Sequence, residues 1–350
     1  MVSPHLNQAM KFSFIALVLF SQSLFAKPLT PISPEEIVAR VAELAPTVWD
    51  GKASNKGTTK ENGCLMATYT IQVADPKTGI TKSLDLLVQT PESKTPLPVV
   101  VIVPTIDGTR EFLEPRVARD LCIGKIASII ADVNDVRQPE KYPAWGAEDI
   151  NMRWSMLALR TVVDFAQSVP RFDPTKVGAL GLSLGGITTT MFASIEDRLK
   201  ASVIIVGGGN LPYTLSICNE GRMETLREQR MKATGMKTRE EYEDKLRETV
   251  NFDPFYFVSP ARRLSVMMVM AEADDKVPYL SQHETWEGFG KPASLTFAGG
   301  HVSTILSMVY LYMSDVRGFY NKKFNPAPAP FLETEPQITH KVVDLDSLGL

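Results

Sequence analysis

The sequence predicts an α/β fold, with one mostly parallel central sheet, helices on both faces of it and an antiparallel hairpin ahead of it. Three apolar runs of strand length, Leu97–Val103, Ala201–Val206 and Val266–Ala271, have the composition of strands buried on both faces. Helical patterns separate these runs, and such alternation indicates parallel strands joined by crossover helices. The 350 residues suffice for one such domain with insertions.

Capping and turn residues predict the elements ahead of the sheet. Ser33-Pro34-Glu35-Glu36 forms a capping box that begins a short helix. Residues 51–62, rich in glycine, lysine and threonine, are assigned to a loop, so that residues 27–62 comprise a helix and a loop. Leu65–Val73 and Lys82–Thr90 are predicted strands, joined by the turn Asp75-Pro76-Lys77-Thr78-Gly79.

The other elements follow from apolar periodicity. Helices are predicted over 112–121, 148–168 and 302–320 and around Trp286, and strands over 126–131, 177–182 and 294–297. The helix over 148–168 is expected to face the core through one stripe of residues, Ile150, Trp154, Leu157, Thr161 and Phe165.

An insertion at about 208–260 interrupts this alternation. It is charged and helical in character, with a second capping box at Thr238–Glu241, pairs Glu241–Lys245 and Glu243–Arg247, and a shared face of Tyr242, Leu246 and Val250. Because it leaves the sheet at the strand ends, we expect a helical cap over the site described next. A solvated helical pair far from that site is the alternative.

One motif organises the chain. Gly181-Leu182-Ser183-Leu184-Gly185 fits G-x-S-x-G and lies between a predicted strand and a helical pattern at Ile187, Met191 and Ile195. A serine at such a sharp turn is strained, and its neighbours must be small, hence Gly181, Gly185 and Gly186. The glycine spacing fits neither a dinucleotide-binding nor a phosphate-binding loop. The motif predicts a nucleophile elbow with Ser183 as nucleophile.

A serine nucleophile needs a base, and the base needs a group that orients it. Of four histidines, His5 and His340 lie in the terminal segments, and His283 lies within a predicted helix. His301 follows Gly299-Gly300 at a strand end and is the predicted base. The predicted acid is Asp274, in the loop after Val266–Ala271, with Asp275 as runner-up and Glu272 too close to the strand.

Ester hydrolysis also requires two N–H donors for the oxyanion. One is predicted at the backbone of Leu184, directly after the nucleophile. The other is predicted in the loop after Val103, at Thr105 or Ile106.

The chain resembles the α/β-hydrolases of the dienelactone hydrolase and carboxylesterase type over about residues 63–322. The matching residues are Gly181, Ser183, Gly185 and Gly186, then Asp274, Val277 and Pro278, and finally Gly299, Gly300 and His301. Ala271 replaces a family glycine, and relatives specialised for dienelactones commonly have cysteine where this chain has Ser183. The resemblance implies an α/β-hydrolase fold, a Ser-Asp-His triad in chain order, a small-molecule ester substrate, and no cofactor or metal.

Other activities remain open. The same machinery could cleave peptide or thioester bonds, or the domain could be a catalytically silent module that binds a partner. Candidates for an apolar acyl pocket are Tyr142, Trp145, Tyr213, Met223, Met231 and Met236, each of which packing alone also explains.

The ends of the chain indicate export. Residues 1–26 have the pattern of a signal peptide, with Lys11, an apolar run Phe12–Phe20 and a cleavage point after Ala26. We therefore expect a secreted protein, periplasmic or extracellular, without stable membrane insertion. Residues 323–350 are expected to form a Pro-rich extended tail. The 40 acidic and 37 basic residues do not suggest a nucleic-acid surface.

The cysteines leave two interpretations open. Cys64, Cys122 and Cys218 could form one disulfide in any of three pairings, or all could be small buried residues.

Overall fold

The computed structural model describes residues 29, 31–45, 49–106, 113–133 and 144–326, and the backbone of 341–343. The predicted signal peptide and most of the predicted tail lie outside the described residues. The fold belongs to the unit formed by residues 32–350.

Within the residues described above, the sheet has ten strands. They are β1 (Ala53–Glu61), β2 (Cys64–Ala74), β3 (Thr81–Pro91), β4 (Leu97–Val103), β5 (Ala127–Ala131), β6 (Phe172–Leu182), β7 (Leu199–Ile205), β8 (Val266–Ala271), β9 (Ala293–Phe297) and β10 (Lys341–Val343). Their spatial order is β1-β2-β3-β5-β4-β6-β7-β8-β9-β10. Strands β5 to β10 in this order run parallel, and β1, β2 and β3 are antiparallel, as the alternation and the hairpin predicted.

The described helices connect these strands. The α-helices are α1 (Pro34–Glu43), α2 (Leu113–Ile123), α3 (Ala147–Ser168), α4 (Leu184–Ile195), α5 (Leu211–Ile217), α6 (Gly221–Thr234), α7 (Arg239–Thr249), α8 (Tyr279–Gly288), α9 (His301–Leu311) and α10 (Met313–Phe324). In the described part of the chain, 3-10 helices also cover Pro254–Tyr256 and Pro260–Ser265.

Both faces of the sheet are covered by apolar packing. On one face, α3 and α4 pack on the strands through residues such as Leu157, Phe165 and Met191. On the other face, α2, α9 and α10 supply residues such as Leu121 and Met308. The strands between them are therefore buried on both sides, which explains their nearly uninterrupted apolar composition.

The hairpin turn is tied to α3 by an ion pair. Asp75 accepts the backbone N–H of Lys77 and the hydroxyl of Thr78, both at 2.8 Å, which shapes the predicted turn. It also pairs with Arg153 of α3 through both carboxylate oxygens. These bonds with Arg153 and within the turn hold the pKa of Asp75 well below its usual range.

Three expectations need correction. Residues 51–62 are not a loop, because Ala53–Glu61 pairs with β2 from Ala53↔Ile71 to Glu61↔Cys64. All nine residues of this strand are exposed, so its sequence lacks the apolar alternation that would have indicated a strand. Ile150 does not belong to the buried stripe of α3, since it is 67% exposed. The closing helix is two helices, α9 and α10, separated at Tyr312.

The predicted insertion is helical and well anchored. It contains α5, α6 and α7, and the capping box of Thr238 and Glu241 begins α7. Tyr242, Leu246 and Val250 are buried, as predicted. At its root, the buried Asp253 accepts the backbone N–H groups of Asn210 and Leu211 at one end and of Phe255 at the other.

The structure distinguishes between the cysteines. Cys64 of β2 and Cys122 of α2 form a disulfide across 58 residues of sequence, with Cα atoms 6.6 Å apart. Cys218 is a buried free thiol in the insertion, and burial raises its pKa. One pairing and one unpaired thiol thus resolve the alternatives that the sequence left open.

Within the described residues, no helix combines the length and apolar character that crossing a bilayer requires.

Candidate active site

Ser183 lies at the sharp turn between β6 and α4. Its φ of 56° and ψ of −119° place a non-glycine residue at positive φ, which is a strained conformation. The Ser183 N–H donates to the Ile205 carbonyl at 3.0 Å, and its carbonyl accepts the Ile187 N–H at 3.0 Å. These two bonds hold the turn in place from the sheet side and from the helix side.

The glycines around Ser183 permit close backbone contact. A Cβ at Gly181 would lie 2.0 Å from the Gly185 carbonyl oxygen, and a Cβ at Gly185 would lie 2.1 Å from the Val103 carbonyl oxygen. A Cβ at Gly186 would lie 2.8 Å from the Ile205 carbonyl oxygen. The first turn of α4 is therefore packed against the ends of β4 and β7, at distances that only glycine allows.

The structure brings Ser183, His301 and Asp274 together. The Ser183 Oγ lies 2.8 Å from His301 Nε2. The His301 Nδ1 lies 2.8 Å from Asp274 Oδ2 and 3.0 Å from Oδ1. With the proton on Nδ1, the imidazole donates to the carboxylate and accepts the serine hydroxyl through Nε2. His301 begins α9 and Asp274 follows β8, so three parallel strands deliver these groups to one edge.

The Asp274 carboxylate accepts three further hydrogen bonds. Its Oδ1 accepts the N–H groups of Lys276 and Val277, both at 2.9 Å. Its Oδ2 accepts the side-chain amide of Gln282 at 2.9 Å. Gln282 is fully buried, donates also to the Val277 carbonyl at 2.6 Å and accepts the Ala271 N–H at 3.1 Å. The Gln282 Nε2 group thus donates two hydrogen bonds and its Oε1 accepts one, and these three bonds together fix the orientation of the amide.

Sequence reasoning missed Gln282. The available signal was its position four residues before Trp286, on the same face of a helix. Both residues are buried in α8, and a buried amide on such a face needs a polar partner.

The alternative acids and bases lie elsewhere. Asp275 has a side chain that is 55% exposed and lies near Lys276. Glu272 is half-buried in the same loop. His283 packs in α8 between the rings of Tyr279 and Trp286. His5 and His340 fall outside the described residues.

The two residues predicted for the second oxyanion donor, Thr105 and Ile106, follow β4. The Thr105 N–H donates to Glu114 Oε1 at 3.0 Å, and the Thr105 hydroxyl reaches the same oxygen at 3.3 Å. Glu114 is fully buried on α2, and burial raises its pKa. The Thr105 amide is thus engaged by Glu114, and both Thr105 and Ile106 line the cavity at Ser183.

A cavity of about 380 Å³ opens above Ser183. Its lining includes Leu184 and Ile187 from α4, and Val302, Ile305 and Leu306 from α9. The insertion contributes a third wall, formed by Thr214, Leu215, Cys218, Glu220, Gly221, Arg222 and Met223. Residues 214–223 of the insertion therefore form part of the cavity wall, while α7 contributes no residue to the described lining.

Few of the predicted acyl-pocket residues line this cavity. Met223 does, whereas Tyr213, Met231 and Met236 pack in or against the core, and Trp145 stacks under Arg230. Tyr142 lies outside the described residues. Among the described residues, no cluster of histidine, cysteine and carboxylate side chains has the arrangement of a metal site.

Solved structures share this architecture. An acetyl xylan esterase from Paenibacillus sp. R4 matches with a TM-score of 0.58 and 13% identity, over 84% of this chain and 99% of that chain. Acetyl xylan esterase 1 from Thermoanaerobacterium sp. JW/SL YS485 matches with a TM-score of 0.57 and 14% identity, over 81% and 96%. A CE15 glucuronoyl esterase from Teredinibacter turnerae T7901 matches with 0.52 and 14%, over 82% and 83%.

These similarities show the fold. The chain has the α/β-hydrolase fold, as its motifs led us to expect. No protein-family model and no curated protein matches the sequence.

Proposed function

We propose that this protein is a serine hydrolase that cleaves carboxylic esters through an acyl-enzyme. One observation carries the proposal: the continuous chain of hydrogen bonds from Ser183 through His301 to Asp274. The strained backbone of Ser183 and the cavity above it support the same assignment. The names of the structural neighbours, two acetyl xylan esterases and a glucuronoyl esterase, favour an ester substrate over a peptide or thioester.

The proposed chemistry follows from this geometry. His301 Nε2 takes the proton of Ser183 as its Oγ attacks the ester carbonyl carbon, and a tetrahedral oxyanion forms. The protonated His301 then gives that proton to the alkoxide oxygen as the C–O bond breaks and the alcohol leaves. Water repeats the sequence on the acyl-enzyme and releases the acid and Ser183. Asp274 keeps the imidazole oriented and stabilises its charged form throughout.

The backbone amides of Leu184 and Ile106 are the proposed oxyanion donors. Leu184 is the first residue of α4, where backbone N–H groups lack partners within the helix. Because the Thr105 amide donates to Glu114 and Ile106 also lines the cavity at Ser183, we favour the Ile106 amide as the second donor.

Export is part of the proposal. The signal pattern of residues 1–26 supports it, and so does the disulfide between Cys64 and Cys122, a bond that persists in oxidising compartments. Expression with the native N-terminus should yield a mature protein that begins at Lys27, as read by N-terminal sequencing. A retained N-terminus with reduced cysteines would contradict export.

The activity is tested with Ser183→Ala. This variant removes the Oγ and little else, so we expect hydrolysis of p-nitrophenyl acetate to fall by at least about a thousandfold with unchanged circular dichroism. A matched Ser303→Ala variant, on the exposed side of α9, should retain the wild-type rate. Wild-type turnover by Ser183→Ala would refute the assignment.

A further inference from the structure

A second chamber adjoins the cavity at Ser183. It has a volume of about 90 Å³, and four of its lining residues, Leu184, Ile187, Leu215 and Met223, also line the larger cavity. These four residues therefore form the boundary between the two spaces. The rest of the chamber lining lies beyond that boundary and comes from α3, α4 and the insertion.

The chamber lies on the acyl side of the site. His301 must give its proton to the leaving alcohol, so the alcohol has to lie beside the imidazole. Val302 and Leu306, which follow His301 on α9, line only the larger cavity. The chamber begins instead at Leu184, whose amide is the proposed oxyanion donor, and at Ile187. The acyl group lies on the opposite side of the carbonyl carbon from the alcohol, so it is directed toward the chamber.

The chemistry of the chamber wall favours an uncharged apolar group. Met152, Leu211 and Leu226 are buried contributors to the lining. The Thr188 hydroxyl donates to the Leu184 carbonyl at 3.0 Å, and the Ser155 hydroxyl donates to the Val133 carbonyl at 3.2 Å. These hydroxyls are engaged by the protein itself.

The only full charges in the described chamber lining neutralise each other. Arg230, with a side chain 1% exposed, pairs with Glu148 at 2.5 Å and donates to the Ala144 carbonyl at 2.8 Å. Asn151 is the remaining polar side chain of the lining. A charged acyl group would consequently lose its hydration in the chamber without gaining a counter-charge.

We propose that this chamber is the acyl-binding subsite and that it selects short, unbranched apolar acyl chains. This inference rests on the proposed esterase function. At about 90 Å³ against about 380 Å³ for the larger cavity, the chamber is small and accepts only the first few carbon atoms of an acyl chain. The preferred substrates are thus esters of acids of about four to six carbons, and the boundary residues determine which chains pass.

The test is an acyl-length series of p-nitrophenyl esters, from acetate to decanoate. The wild type should show its highest kcat/KM at butyrate or hexanoate and at least a tenfold lower value at decanoate. Leu226→Trp fills the chamber without altering the larger cavity, so the ratio of hexanoate to acetate kcat/KM should fall at least tenfold. Leu226→Ala enlarges the chamber and should move the optimum about two carbons longer, which provides a second test if the tryptophan variant does not fold.

Leu306→Ala is the matched control, because Leu306 lies on the alcohol side. It should change the preference between p-nitrophenyl and ethyl esters and leave the hexanoate to acetate ratio within about twofold of wild type. If the folded Leu226 variants still hydrolyse the acetate ester and keep the wild-type length profile, the assignment of the chamber as the acyl subsite is overturned. Loss of all ester hydrolysis by the wild type would instead overturn the proposed function.

Discussion

Replacing Gln282 by methionine tests whether the contact behind Asp274 supports the reaction. Methionine has a similar length but cannot donate, so Asp274 Oδ2 loses the bond it receives at 2.9 Å. A hydrogen bond to a charged group contributes about 1.5–3 kcal/mol. At 1.36 kcal/mol for each tenfold in rate, full expression of that loss lowers kcat by about 10- to 150-fold.

The KM should change little, because Gln282 does not belong to the described cavity lining. Replacing the Gln282 amide also leaves the buried Ala271 N–H and the Val277 carbonyl without their hydrogen-bond partner. We therefore expect a cost in stability of about 1–3 kcal/mol for each of those groups. Steady-state kinetics with p-nitrophenyl butyrate, at a temperature where circular dichroism shows a folded variant, separates the effect on rate from the effect on folding.

The control is His283→Ala on the same helix. His283 contacts the rings of Tyr279 and Trp286 and not Asp274, so its kcat should remain within about twofold of wild type. A folded Gln282→Met enzyme with wild-type kcat would refute the reasoning, because the amide would then be a purely structural group.

Three further outcomes are expected. Asp75→Asn should destabilise the fold by about 3 kcal/mol at pH 7, because it leaves the largely buried Arg153 without its counter-charge. Because the pKa of Asp75 is lowered in the folded state, this difference in stability should shrink as the pH falls below about 4. Urea unfolding of both proteins at pH 7 and pH 3.5 measures the difference. A difference that does not change with pH would contradict a role for the Asp75 charge. Glu114→Ala should lower kcat about tenfold or more with little change in KM, whereas Glu114→Gln, which retains an acceptor for Thr105, should stay near wild type; equal losses would contradict the anchoring role. Removing the 58-residue Cys64–Cys122 link with Cys122→Ala should cost about 4 kcal/mol in urea, and an unchanged midpoint would contradict this.

The sheet could be predicted because burial on both faces makes its strands nearly continuous apolar runs in the sequence. Strands such as Leu97–Val103 and Val266–Ala271 lie between two helical layers, so nearly every position is apolar, and the observed bounds equal the predicted ones. The strand Ala53–Glu61 was missed for the opposite reason. It lies at the edge of the sheet with every residue exposed, so only backbone pairing defines it.

The candidate site likewise contains residues that the sequence could predict and residues that it could not. Ser183, Asp274 and His301 could be proposed from sequence because strand ends, glycines and helix starts restrict where each can lie. Gln282 and Glu114 could not, since their roles come from contacts across elements, and a single buried amide or carboxyl has no spacing rule. The chamber was equally inaccessible, because it arises only where α3, α4 and the insertion meet.

The central claim is that Ser183 becomes a covalent acyl carrier, and fluorophosphonate labelling followed by peptide mass spectrometry tests it most directly. We expect the wild type to incorporate one phosphonyl group per chain at Ser183, and His301→Ala to react far more slowly because the serine loses its base. Absence of labelling, or a label on a different residue of the folded wild-type protein, would contradict the account.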